Sequence, residues 1–360
     1  MELYIIYFVI LAILAVAYER KPFIKWPFIV LVVGLLGVMA GFQGPNVSKD
    51  SSNYHAIFYS VDLLYTQFKY GNFFTSLEPG CLLIIVFLRR IFEINYVTAI
   101  LVVFSFTSLI LKSTLIKKLS INPFLVYLFY FSHYFFLSEM TQIRMGLATS
   151  IFFFAVTYLL EGKRIRYVFL ILLATMFHYS AILYLAVLFI STQKRNRLFY
   201  LIIISMSIVF AFIRIPFFDY ISADMNLGKF QGYKGSIQYM LYRKINPFNA
   251  IVLINFAFIF YLLFMVPKRE LEKSKKMLLA LKCNIVSIFL LHLFSGVPTL
   301  VYRFFELFGI LTIFMFEGSI KYLPFGRYNI YFLILLAALF FYINLFYLEL
   351  LQPYSFTPII

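Results

Sequence analysis

Charge is scarce in this sequence. Only 13% of the 360 residues are Asp, Glu, Lys or Arg, about half the share a soluble domain carries, and that shortage argues against an ordinary water-soluble globule. Cysteine is nearly absent: Cys81 and Cys283 are the two, and no CxxC pair or Cys/His cluster accompanies them. Neither a disulfide framework nor a metal site is expected. Walker, GxGxxG, HExxH and GxSxG motifs are missing, so no cofactor is expected, and no internal repeat is evident. A cleaved signal peptide is not expected either, since the first apolar run follows Glu2 rather than a basic segment.

Hydrophobicity fills the space. Apolar residues make up 63% of the chain and aromatics 21%, in runs that recur along its whole length. A helix needs about 20 mostly apolar residues to span a bilayer, and only helices or closed barrels satisfy their backbone in lipid. Barrel strands would alternate polar with apolar residues; a segment such as Tyr331–Leu348 is apolar on every face. The reading is an all-α polytopic membrane protein, one transmembrane domain over residues 1–360, of about 12 transmembrane helices and open to a GT-C-like bundle.

The net charge of +16 would suggest nucleic acid in a soluble protein. Here the basic residues sit in short loops between apolar runs, which is the positive-inside pattern with some affinity for anionic membrane lipid. No nucleic-acid partner is expected. Six clusters hold most of them: Arg20/Lys21/Lys25, Lys112/Lys117/Lys118, Lys163/Arg164/Arg166, Lys194/Arg195/Arg197, Lys268/Arg269/Lys273/Lys275/Lys276 and Lys321/Arg327. If all face the cytoplasm, the spans fall at about 3–18, 26–42, 96–116, 122–139, 143–160, 166–177, 180–191, 198–213, 248–266, 277–295, 299–316 and 328–349, with both termini outside.

Two places depart from a plain bundle. The run after Pro79 is too short to span and ends in Arg89 and Arg90, so 79–93 reads as an interfacial or re-entrant helix on the outer face. The stretch 166–191 has basic clusters on both sides, so it reads as two broken half-helices of about 18 Å each. Their apex, His178-Tyr179-Ser180, then lies at membrane depth, where broken helices are tolerated only beside protein or a wet cavity. Two long polar loops, about 43–78 and 214–247, fall outside.

Charged residues near spans are costly and mark function. Arg144 begins a span, where a guanidinium beside free helix N–H groups suits a phosphate or pyrophosphate; the structural alternative is a snorkelling arginine paired with Glu139. Arg303, one turn from Glu306, is either a second phosphate contact or half of a local ion pair. His178 is a candidate general base, proton donor or hydrogen-bond donor to phosphate, or simply a satisfied polar group. Asp50 and Glu78 are candidate bases toward a hydroxyl, or helix caps. Arg89, Arg90 and Arg243 are further candidates for anion contact. His292 reads as structural.

The segment Gln142-Ile-Arg-Met-Gly-Leu-Ala-Thr-Ser, then Tyr158-Leu-Leu-Glu-Gly-Lys-Arg, then Leu173-Ala-Thr-Met-Phe-His-Tyr-Ser-Ala, resembles the EpsG-like, Wzy-type polysaccharide polymerases. Asp50…Tyr54, Glu78-Pro79-Gly80 and Tyr302-Arg-Phe are similar to further motifs of that family, while Met145 stands where its members often have Gln. The resemblance implies a glycosyltransferase of the bacterial inner (cytoplasmic) membrane with its site on the periplasmic face; it is expected to be metal-independent because no metal-ligand cluster is visible among the outer-side residues. Such enzymes join undecaprenyl-pyrophosphate-linked oligosaccharide units into O-antigen or capsular polysaccharide, sometimes beside a chain-length regulator protein. Arg144, Arg303 and Arg89 or Arg90 would hold the pyrophosphate, with His178 close by. Two rivals stand: another lipid-phosphate-dependent glycosyltransferase or O-antigen ligase, and a flippase or transporter of lipid-linked sugar.

Overall fold

The computed structural model describes residues 1–22, 25–48, 50–70, 77–92, 95–192, 196–213, 246–295 and 298–357. Among these there are no strands; extended pairing is confined to two isolated bridges, Gln43 with Phe356 and Ser48 with Leu351. Five helices are long and apolar enough to cross a membrane: Glu2–Arg20, Tyr96–Leu119, Ile143–Leu160, Lys275–Leu293 and Gly326–Tyr347. Lys25–Gly41, Tyr179–Phe189, Arg197–Phe212 and Ala250–Met265 are apolar but shorter. The chain is an all-α membrane protein.

In chain order the helices are α1 (Glu2–Arg20), α2 (Lys25–Gly41), α3 (Ser51–Tyr59), α4 (Val61–Lys69), α5 (Pro79–Ile91), α6 (Tyr96–Leu119), α7 (Pro123–Phe129), α8 (Ile143–Leu160), α9 (Arg164–Thr175) and α10 (Arg197–Phe212). After the second loop come α11 (Ala250–Phe260), α12 (Lys268–Lys273), α13 (Lys275–Leu293), α14 (Pro298–Gly309), α15 (Thr312–Gly318) and α16 (Asn329–Tyr342). Three helices run on as π-helix, α7 through Tyr130–Thr141, α11 through Tyr261–Met265 and α16 through Ile343–Tyr347. A helix lies under each expected apolar run. The run at 299–316 is not continuous, however: α14 stops at Gly309 and α15 begins at Thr312. Glycine costs about 1 kcal/mol inside a helix, and the break falls on it. The first outer loop is also more ordered than expected, since it contains α3 and α4, the latter burying Val61 and Leu64.

The half-helices are present. α9 ends at Thr175 and the chain resumes as a 3-10 helix, Tyr179–Phe189. Runs of 3-10 helix longer than three or four residues are uncommon and mark hinges or strain.

Packing divides the chain into two compact units, Met1–Leu188 with Leu323–Ile360, and Phe189–Tyr322. In the first, α6 packs on α2 and α8, α8 on α9, and α1 on α7 and α16. Phe131, Phe135, Phe136 and Phe341 form an aromatic centre. One end of this unit gathers basic loops as expected. Lys118 and Lys163 both bind Glu161, whose exposed carboxyl these hydrogen bonds hold down at about 2. Lys117 Nζ lies 3.5 Å from the Trp26 ring centroid, and Arg20 donates to Tyr331 Oη at 2.6 Å, four residues from Arg327. Lys112 does not belong to that face; it is buried inside the unit, as described below. The tail of the same unit returns along the start of the first outer loop, an arrangement the sequence did not signal. Gly44 N donates to Ser355 O at 2.8 Å, Gln352 N to Val47 O at 2.9 Å and Thr357 N to Phe42 O at 3.0 Å.

In the second unit α13 packs on α10, α11, α14 and α15. Its polar groups pair internally: Asn284 with Asn255 at 2.9 Å, Ser287 with the Phe305 carbonyl at 2.6 Å, and His292 with Ser207 at 2.7 Å and the Pro247 carbonyl at 3.0 Å. His292 is therefore structural, as read from the sequence.

Candidate functional site

Pro79 fixes the start of α5. Glu78 precedes it in extended backbone (φ −69°, ψ 146°) as the N-terminal cap residue, and Pro79 occupies the first turn, where its missing N–H costs nothing. The beginning of α5 lies against the apex that joins α9 to the 3-10 helix. Gly80 N donates to Met176 O at 2.8 Å, and Cys81 Sγ lies 3.3 Å from Phe177 O. A Cβ at Gly80 would stand 2.9 Å from Met176 O, a backbone atom that cannot swing away. Glycine is what lets the two segments touch.

That contact brings Glu78 and His178 together. Glu78 Oε1 lies 3.2 Å from His178 Nδ1, at an angle poor for a hydrogen bond, so the contact is chiefly electrostatic. Its other oxygen, Oε2, accepts from Arg144 Nη1 at 2.5 Å. Arg144 is the second residue of α8, and its guanidinium lies 5.8 Å from the ring centroid of Tyr54, a buried tyrosine of α3. The Glu78 side chain is 6% exposed, against 19% for Arg144 and 21% for His178. The carboxylate is thus the inner member, and a ligand reaches the guanidinium and the imidazole first. Burial works against charge on Glu78, but His178 and Arg144 outweigh it and hold the carboxyl below its usual range.

Behind Arg144 lies a second polar cluster. Lys112 and Glu139, 1% and 2% exposed, meet at 2.5 Å. The ammonium also donates to Ser108 Oγ at 2.8 Å and to Gly146 O at 3.0 Å, which uses its three donors. Glu139 Oε1 further accepts from Tyr130 Oη at 2.5 Å. The cluster ties α6, the π-helix and α8 together on either side of Arg144. A side chain at Gly146 would overlap the Ser138 carbonyl, so the π-helix and α8 meet there on glycine. Sequence proximity suggested Glu139 as the partner of Arg144; the structure gives Glu139 to Lys112, and Glu78 to Arg144.

Other candidates sit elsewhere. Asp50 is half-buried at the N-cap position of α3, without a side-chain cap bond, one turn before Tyr54, on which its charge bears. Arg89 lies at the far end of α5, about 16 Å along the axis from Glu78, where it pairs with Asp62 at 2.7 Å and faces the Tyr96 ring at 5.4 Å. It holds α4 and α5 together rather than joining Arg144. Arg90 is exposed at the same end. Arg303 is exposed on α14 in the second unit, and its charge reaches Glu306. Arg243 falls outside the described residues.

Sequence reasoning missed the Lys112–Glu139 pair. The signal was there: a lone lysine and a lone glutamate, each inside an apolar run, are affordable only as partners.

Among known proteins, the model of the EpsG family matches residues 26–356. No curated protein and no solved structure matches the chain.

Proposed function

Because the chain belongs to the EpsG family, we propose that it polymerises lipid-pyrophosphate-linked oligosaccharide units at the outer face of the bacterial inner membrane, with no metal in the chemistry. In this reading twelve spans place the basic loops in the cytoplasm and the Glu78–Arg144–His178 cluster on the periplasmic side. The growing chain moves from its undecaprenyl pyrophosphate to the nonreducing-end hydroxyl of a new unit. The reaction needs a base for that hydroxyl and a fixed cation for the departing pyrophosphate. Arg144 serves as the cation, and preorganised charge of this kind is usually the largest contribution to such a rate. His178 takes the proton on Nε2, while Glu78, at Nδ1, orients the ring and stabilises its charged form. Asp50 remains a candidate contact to substrate, and the rest of the first outer loop would hold glycan.

The observation that carries this reading is the convergence of three residues from separate parts of the chain, with the carboxylate inside and the two nitrogen groups outward. Capping or snorkelling alone would not bring them together. The test is extension of purified lipid-linked repeat units by the detergent-solubilised chain in the presence of a chelator. A ladder of products is expected from the native protein and none from Arg144→Ala or His178→Gln at equal protein level. A ladder undiminished by either substitution, or dependent on added divalent metal, would refute the assignment; addition of a single sugar would point to another glycosyltransferase.

A further inference from the structure

The cluster holds one carboxylate and two nitrogen groups, and the carboxylate divides its oxygens between them: Oε2 faces Arg144 and Oε1 faces His178. Among the described residues, His178 and Arg144 are the basic groups whose charges bear on Glu78. Tyr54 lies against the guanidinium from α3, and Cys81 and Tyr179 are the other titratable groups whose charges bear on Glu78 and Arg144. Asp50 acts on Tyr54. Arg144 is therefore already occupied by an anion. Glu78 holds Arg144 through Nη1; an incoming pyrophosphate that engages Nη1 meets the carboxylate there, and two anions crowded on one guanidinium repel each other.

We propose that donor binding and base activation are one exchange: the donor's pyrophosphate displaces Glu78 from Arg144, and the released carboxylate closes on His178 Nδ1–H. The reading rests on the polymerase function above and adds an order of events to it. With Glu78 wholly committed to His178, the ring presents Nε2 to the acceptor hydroxyl. The hydroxyl proton passes to Nε2, and its oxygen forms the new bond to the anomeric carbon. The bond from that carbon to the pyrophosphate oxygen breaks, and its electron pair leaves on the pyrophosphate held by Arg144. The base is thus made ready by the donor, and a unit that arrives without a donor meets an unprepared site.

The test uses the full chain in detergent with inorganic pyrophosphate as the probe, read by calorimetric titration beside the extension assay. Glu78→Gln should bind pyrophosphate at least about tenfold more tightly than the native chain, because a hydrogen-bonded charge pair that binding must break is worth more than one decade of affinity. The same variant should extend at least about a hundredfold more slowly, the usual loss for a disabled acid–base step. A static role, in which Glu78 only props Arg144 in place, predicts weaker binding by Glu78→Gln, and that result would overturn the exchange. In the native chain, saturating pyrophosphate should shift a carboxylate infrared band that moves on 13C-glutamate labelling. This second measurement does not depend on how well the variant folds, and an unmoved band also overturns the proposal. The two levels separate cleanly. If Arg144→Gln binds pyrophosphate as the native chain does, or neither binds, the anion-site reading fails as well. If binding is lost in Arg144→Gln but not tightened in Glu78→Gln, the exchange alone fails.

Discussion

Replacing Glu139 by leucine removes the acid bonded to Lys112 and leaves an ammonium that is 1% exposed facing Ser108 and the Gly146 carbonyl. Breaking a buried ion pair from one side costs about 3–5 kcal/mol, and Lys112→Met should cost about the same by stranding Glu139. If the two effects were independent, the double variant would lose about 6–10 kcal/mol, enough to unfold most domains. The expectation is far smaller. An apolar pair of similar volume repairs the desolvation problem, so Lys112→Met with Glu139→Leu should lose only about 1–3 kcal/mol. That residue comes from the hydroxyl of Tyr130, which donates to Glu139 at 2.5 Å and would lose its charged acceptor. Adding Tyr130→Phe should recover part of it. Thermal unfolding of the purified variants in one detergent, followed by loss of the monodisperse species, reads the series. A double variant as damaged as the sum of the singles, or a single variant within about 1 kcal/mol of native, would refute the argument that these charges exist as a pair. Arg144 begins the helix that the pair ties down, and a 1 Å misplacement can cost about a hundredfold in rate, so both single variants should lose extension activity beyond their loss of protein.

Gly80→Ala sets a Cβ 2.9 Å from the Met176 carbonyl oxygen; it should push α5 off the apex and reduce extension about tenfold or more at unchanged protein level, and unchanged extension would contradict the docking of α5 on the apex. Arg89 and Asp62 form a largely exposed pair, so Arg89→Gln should change stability by less than about 1 kcal/mol and leave the product ladder intact; a lost ladder would return Arg89 to the substrate. Glu78 titrates below its ordinary value in the folded chain, so the stability it confers is present above the ordinary carboxylate range near 4.5 and is lost as pH falls through the lower folded value. The melting advantage of native over Glu78→Gln should therefore be flat above about pH 5 and disappear in acid; an advantage that grows on acidification would contradict the pairing.

The helices were legible because lipid demands long apolar runs, and a run is visible without knowing its neighbours. The half-helices at 166–191 were legible for a related reason, since basic clusters on both sides left too little chain for two ordinary spans. The three central site residues showed themselves as polar groups in expensive places. Their pairing did not. Glu139 is five residues from Arg144 and Glu78 is 66 residues away, and only the docking of α5 on the Met176–His178 apex decides between them. That docking turns on Gly80, which carries no signal of its own in a single sequence. Lys112 was grouped with Lys117 and Lys118 because charge clusters are counted along the chain, whereas its side chain turns into the protein. The tail that returns along residues 42–48 has no periodicity and too few apolar residues to announce a partner.

The unit that holds the site is discontinuous: it is built from Met1–Leu188 and from Leu323–Ile360, and the whole of the second unit lies between them in the chain. A ribosome adding about 5–20 residues per second delivers α8 and the His178 apex on the order of ten seconds before α16. During that interval α1 and α7 wait in the membrane without the helix that will cover them, and the backbone groups of Phe42, Gly44 and Val47 wait without the strand-like tail they will bind. The unit that holds the proposed site is thus the first to be begun and the last to be closed. A chain stalled inside the second unit would carry every residue of the proposed site and still present an open seam to whatever surveys the membrane for unfinished proteins.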